Sequence, residues 1–134
     1  MNAVFADSFY FFALLNPNDE SHGRVRAFSG TFDGLIVRTA WVFTEVADGL
    51  SAVRDRPSFL RLYDRFRADP LCKFIAHSAE LFDTAVEFHR TRLDKSWSLT
   101  DCASFEVMRQ QHLIDALTGD RHFTQAGFNA IFSE

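Results

Sequence analysis

Apolar and polar positions fall into short blocks along this chain, and the spacing inside each block predicts an element. Ala3 to Ala6 is an unbroken apolar run that reads as a short buried strand. Ser8 to Leu15 reads as an apolar helix stopped by Asn16-Pro17. Asn18-Asp19-Glu20-Ser21 opens an amphipathic segment through Phe28, with acids first and Arg24 and Arg26 later, the order a helix dipole favours. Leu35-Ile36-Val37 predicts a second, weaker strand. Thr39 to Arg54 has helical spacing, with Val42, Val46, Leu50 and Val53 along one side. Pro57-Ser58 starts another helix, Phe59 to Arg67, closed by Asp69-Pro70, and Leu71 to Ala76 is a third strand. Ser78 to Leu93 is helical, its apolar side formed by Leu81, Phe82, Ala85, Phe88 and Leu93. Thr100 to His112 is a further helix, Ile114 to Leu117 a strand, and Asn129 to Phe132 a final one.

Strands that alternate with helices require right-handed crossovers, and these build a parallel sheet covered on both faces. The expected fold is α/β: a three-layer α/β/α domain over residues 1–134 with a central parallel sheet of four to five short strands. No repeat, low-complexity tract or linker interrupts it. A chain of 134 residues buries enough apolar surface to fold without staples.

Composition adds constraints. With 47% hydrophobic and 24% charged residues the chain is globular, and most of its sixteen phenylalanines belong to the core. The net charge of −4 supplies no global basic field, so any nucleic-acid contact must come from a local patch. Cys72 and Cys102 match no metal-ligand spacing and suggest no disulfide framework, which favours a reducing compartment. The apolar run from Ala3 to Leu15 follows no positive segment, contains Asp7 and Ser8, and is too short to span a bilayer. A soluble, cytoplasmic protein without a membrane partner is expected.

Four acids stand where apolar runs break. Asp7 closes Ala3-Val4-Phe5-Ala6, Glu45 interrupts Ala40-Trp41-Val42-Phe43-Thr44, Asp101 sits in Ser98-Leu99-Thr100-Asp101, and Asp120 follows Leu117-Thr118-Gly119. A carboxylate in an apolar stretch is costly unless its charge is compensated. In an open parallel sheet, residues that follow strands gather at the carboxyl edge, near a change in strand order. Asp7 and Asp120 both follow predicted strands. Four carboxylates in one cleft call for a hard cation, and Mg²⁺ or Mn²⁺ suits an all-oxygen site. Each acid also has a structural reading. Asp7 would cap the helix from Ser8, Asp101 would close a capping box with Ser98, and Asp120 would cap a turn at His122-Phe123. Glu45 has the weakest structural reading. Capping and ligation are compatible, because a carboxylate has two oxygens.

Taken together, Asp7 after a first strand, Thr44-Glu45-Val46 in a helix, Ser98-Leu99-Thr100-Asp101-Cys102-Ala103-Ser104-Phe105 with Val107-Met108, and Leu117-Thr118-Gly119-Asp120-Arg121-His122-Phe123 with Ala126-Gly127-Phe128 resemble the PIN domain. The nearest likeness is to bacterial single-domain toxins of the VapC type, and it runs from Ala3 to Phe132. The resemblance implies that Asp7, Glu45, Asp101 and Asp120 bind one or two Mg²⁺ or Mn²⁺ ions and form the catalytic centre of an endoribonuclease. That enzyme would hydrolyse RNA to a 5′-phosphate and a 3′-hydroxyl by metal-activated water. It further implies a homodimer and, often, a small antitoxin whose C-terminal segment blocks the acidic cleft. Ser8, Thr100 and Thr118 would orient metal-bound water, and His122 would hold the loop after the fourth acid.

Other residues carry weaker signals. The remaining histidines (His22, His77, His89, His112) show no catalytic arrangement. Arg54, Arg56, Arg61, Arg65 and Arg67 are either a solvated face paired with Asp55, Asp64 and Asp69 or a patch that holds RNA phosphates. Trp41 and Trp97 suit core or interface better than base stacking. Phe9, Phe11 and Phe12 suggest a dimer or antitoxin surface. Two competing functions stay open: a catalytically degenerate PIN module that only binds, and a receiver- or phosphatase-like domain phosphorylated on Asp. The latter would want a second acid where Phe9 stands and a lysine at a strand end, and neither Lys73 nor Lys95 fits.

Overall fold

In the computed structural model, which describes residues 1–134, the first strand is the middle of the sheet. Strands β1 (Ala3–Ala6), β2 (Leu35–Thr39), β3 (Cys72–Ile75), β4 (Asp115–Leu117) and β5 (Asn129–Ala130) pair in the order β3-β2-β1-β4-β5, all parallel. The chain steps outward from β1 through β2 to β3, then crosses back to start again at β4. The strand order therefore reverses between β1 and β4, and the carboxyl ends of these two strands flank the place where open α/β sheets bind ligands.

Helices α1 (Ser8–Leu15), α2 (His22–Thr31), α3 (Ala40–Gly49) and α4 (Arg56–Ala68) pack together on one face of the sheet. Phe11 of α1 is fully buried against Phe43 of α3 and Phe66 of α4, at ring separations of 4.9 and 5.4 Å. Burying such a ring is worth about 1.5–3 kcal/mol. Helices α5 (Ala79–Thr91), α6 (Leu99–Gln110) and α7 (Arg121–Gln125) form the other layer, where Phe105 contacts Trp97 and Phe123. No helix is long and apolar enough to cross a membrane.

Several expected elements shift. The helix expected over Thr39–Arg54 ends at Gly49, because the Ser51 hydroxyl donates to the Ala47 and Asp48 carbonyls and closes the last turn. Val53 consequently lies outside the helix and is exposed. Asn16 and Asp19 side chains accept backbone N–H groups of Asn18 and Ser21, so a turn replaces the start of the second helix, which begins at His22. Leu93 falls beyond α5 and is exposed, and Phe82 is only partly covered, stacked on Trp41. The loop after Asp120 contains α7, a helix too short to show a period. It closes with Gly127 at φ 95°, where Phe128 N–H reaches the Phe123 carbonyl and Gly127 N–H the Thr124 carbonyl.

Phe11 is therefore core and not a surface for a partner. Phe9 is half-buried and stacks on Phe132, and Phe12 lies over Gly49. One interior feature is unexpected. Arg38 on β2 is fully buried, its guanidinium 4.3 Å from the Phe43 ring centre and 4.7 Å from that of Phe74, with no hydrogen-bond partner for any of its nitrogens.

Candidate metal centre

Asp7 leaves β1 at the N-cap position of α1 but makes no side-chain cap bond. Its Oδ2 instead accepts the Thr118 hydroxyl at 2.9 Å, and Thr118 sits just past the end of β4, its neighbour in the sheet. The Thr118 oxygen in turn accepts the Asp120 amide at 3.1 Å. One buried hydroxyl thus ties the first acid to the backbone of the fourth. Gly119 lies between them because the Phe9 ring comes within 2.9 Å of where a Cβ would stand.

Asp120 caps α7, its Oδ1 accepting the His122 amide at 2.9 Å. Asp101 completes the capping box of α6: its Oδ2 accepts the Ser98 amide at 3.1 Å while the Ser98 hydroxyl accepts the Asp101 amide. His122 Nδ1 lies 3.1 Å from that same Asp101 Oδ2 and 3.6 Å from Asp120 Oδ1. Asp101, Asp120 and His122 each place a donor atom within 4.8 Å of the others. His122 thus joins two of the acids, as a residue that holds the loop should.

The structural and chemical readings of these acids hold together. Asp7, Asp101 and Asp120 each use one oxygen to fix local structure; the Oδ1 atoms of Asp7 and Asp101 and the Oδ2 of Asp120 make no hydrogen bond to protein.

Glu45 arrives from α3, which packs on both α1 and α6 and so lies across the carboxyl edge. It is half-buried and lies outside the close group of Asp101, Asp120 and His122, as does Asp7. Both still share its field. Burial pushes the Asp7 carboxyl from its ordinary 3.8 up to about 7, opposed by the Thr118 hydroxyl and the Ser8 amide and reinforced by the charges of Glu45 and Asp101. Glu45 is also raised, first by burial and further by the charges of Asp101 and Asp120, with the nearby Ser8 hydroxyl acting in the opposite sense. No arginine or lysine forms an ion pair with any of the four. One of the hydroxyls expected to meet water has a protein partner instead: Thr118 is fully buried and holds Asp7.

The donor set fits a hard divalent cation. It offers oxygen, an excess of negative charge that protein cations leave unbalanced, and free carboxylate oxygens on three residues.

No family sequence model and no curated protein sequence matches the chain. Its fold does match solved structures. The structure of VapC20 from Mycobacterium tuberculosis, a sarcin-ricin loop cleaving toxin, superposes with a TM-score of 0.86 at 23% identity, over 96% of this chain and 98% of that one. FitAcB from Neisseria gonorrhoeae gives a TM-score of 0.65 at 18% identity, over 95% and 94% of the two chains. VapBC2 from Rickettsia felis, solved bound to a DNA fragment from their promoter, gives 0.66 at 14% identity, over 96% of each. In architecture, along nearly its whole length, the chain has the PIN-domain fold.

Proposed function

We propose that this protein is an endoribonuclease dependent on Mg²⁺ or Mn²⁺, the toxin of a toxin–antitoxin pair. The observation that carries the reading is the meeting of Asp101, Asp120 and His122 near the buried Asp7, with no arginine or lysine paired to any of the acids. Such a cluster is stable in its charged form only with an added cation.

In this reading Asp7, Asp101 and Asp120 hold the ion through their free oxygens, and Glu45 completes the set from α3. A bound divalent cation supplies the Lewis acid and the activated water that phosphodiester hydrolysis needs. The chain's own groups do the positioning. Thr118 fixes the Asp7 carboxylate, the Ser98 amide and His122 fix that of Asp101, and the His122 amide fixes that of Asp120. The likeness to a toxin that cleaves the sarcin-ricin loop supports RNA as substrate. A small antitoxin, a homodimer and a cytoplasmic setting belong to the same proposal.

The test is cleavage of RNA with Mn²⁺ or Mg²⁺ by the wild type, and its loss in Asp7→Asn and Asp101→Asn. Cleavage that survives both substitutions, or that proceeds undiminished in EDTA, refutes the reading.

A further inference from the structure

Arg26 of α2 and Arg61 and Arg65 of α4 line one cleft of about 660 Å³, at the C-terminal end of α1. His22, Ser29 and Ser58 supply the other polar groups of its lining, and no acidic residue lines it. This is unusual in a chain of net charge −4. Arg24, Arg54, Arg90, Arg92 and Arg109 each pair with an acid, whereas Arg26, Arg61 and Arg65 pair with none. The face expected to be neutralised by Asp55, Asp64 and Asp69 keeps a single contact, Arg54 to Asp55 at 4.0 Å. Arg61 donates to the Ser58 hydroxyl at 3.4 Å, and Arg65 lies 5.7 Å from the ring centre of Phe66. Arg26 makes no side-chain hydrogen bond. His22 donates Nδ1–H to the Ala13 carbonyl at 2.7 Å, which leaves Nε2 unbonded.

The cleft lies along α1 from the acids. Asp7 stands at the N-cap of that helix, and Leu14 and Leu15 at its other end line the cleft. Eight helical residues span about 12 Å, so a single strand could rest on both at once. We infer that this arginine cleft binds backbone phosphates of single-stranded RNA on one side of the scissile bond. It would provide the local positive field that the acidic centre lacks. The inference deepens the ribonuclease reading, but its test uses neither metal nor cleavage.

The experiment is fluorescence anisotropy of a labelled oligouridylate in EDTA, titrated with the full-length protein across a salt series. All three arginines are exposed, so Arg26→Ala/Arg61→Ala/Arg65→Ala should keep the wild-type melting temperature. The triple variant should bind at least about ten-fold more weakly, and its slope of log K against log salt should be shallower by about 2. Arg90→Ala/Arg92→Ala, in the other helical layer, should bind as the wild type. Wild-type affinity and slope in the triple variant overturn the inference. So does an equal loss in the control pair, or a triple variant that loses only binding of polyglutamate, which would make the cleft a peptide site. Failure of the nuclease reading looks different: oligouridylate binding would still depend on the arginines while no metal produced cleavage.

Discussion

Thr118 and Asp7, 111 residues apart in sequence, are joined by a 2.9 Å hydrogen bond from the Thr118 hydroxyl to Asp7 Oδ2. The Thr118 hydroxyl oxygen also accepts the Asp120 amide at 3.1 Å, so Thr118 ties two acids across the place where the strand order reverses. Thr118→Val keeps the shape and removes both bonds. It should cost about 1–3 kcal/mol in urea denaturation and weaken Mn²⁺ binding in a calorimetric titration. Thr118→Ser should restore both, and a valine variant with unaltered metal affinity would show that Thr118 does not position Asp7.

Asp101 permits its structural and chemical roles to be separated. Asparagine keeps an acceptor for the Ser98 amide but removes a charge that disfavours ionised Asp7 and Glu45. Metal-free Asp101→Asn should therefore melt at or above the wild-type temperature, yet gain nothing from added Mn²⁺. Asp101→Ala loses the cap as well and should be less stable by about 1 kcal/mol. Differential scanning calorimetry with and without the ion decides between these outcomes.

The raised Asp7 carboxyl makes metal-free stability depend on pH. The folded protein holds this proton up to about pH 7, whereas the ordinary value is 3.8. The stabilisation is complete below the ordinary value and is lost as pH rises towards 7, by roughly 4 kcal/mol at the upper limit. Denaturation in EDTA should show this fall, Asp7→Asn should flatten it, and saturating Mn²⁺ should reverse it. A wild-type profile that rises from pH 4 to pH 7 would contradict the assignment.

His112 is the one non-glycine residue with positive φ, 56°, at the end of α6. Leu113 N–H reaches the Met108 carbonyl and His112 N–H that of Arg109, the bonding pattern that glycine usually closes. His112→Gly should raise stability by about 0.5–1 kcal/mol in urea denaturation, the relief of left-handed strain exceeding the added chain entropy.

Arg38 lends itself to a core test. A buried guanidinium held only by the rings of Phe43, Phe66 and Phe74 is a poor exchange for a well-packed apolar side chain. Arg38→Met should be neutral or stabilising by about 1–2 kcal/mol. A large loss would show that the ring contacts more than offset the missing hydrogen bonds.

The order of elements was legible in the sequence because it rests on local signals, and so was the approach of Asp101 to Asp120. Apolar runs mark the strands, and Asp7 and Asp120 follow runs that end at the same edge of a parallel sheet. Ser98-Leu99-Thr100-Asp101 identifies the capping box, and the structure shows that box closed through Asp101 Oδ2, with Oδ1 making no hydrogen bond to protein. What stayed hidden depends on contacts distant in sequence. Nothing near Thr118 reveals that its hydroxyl is committed to Asp7, and nothing near Phe11 distinguishes core from surface until Phe43 and Phe66 close over it. Ser51 ends α3 through a side-chain bond that periodicity does not register, which is why Val53 was placed on a helix it does not join. The arginine cleft is invisible for the same reason, since Arg26 comes from a different helix than Arg61 and Arg65.

The divided use of the carboxylate oxygens has a kinetic corollary. Because amides and hydroxyls already hold one oxygen of Asp7, Asp101 and Asp120, the proposed cage would be set before any ion enters. Loading should then be a simple one-step event at a rate proportional to ion concentration, with an unchanged far-ultraviolet circular dichroism spectrum. No slow refolding phase should follow it.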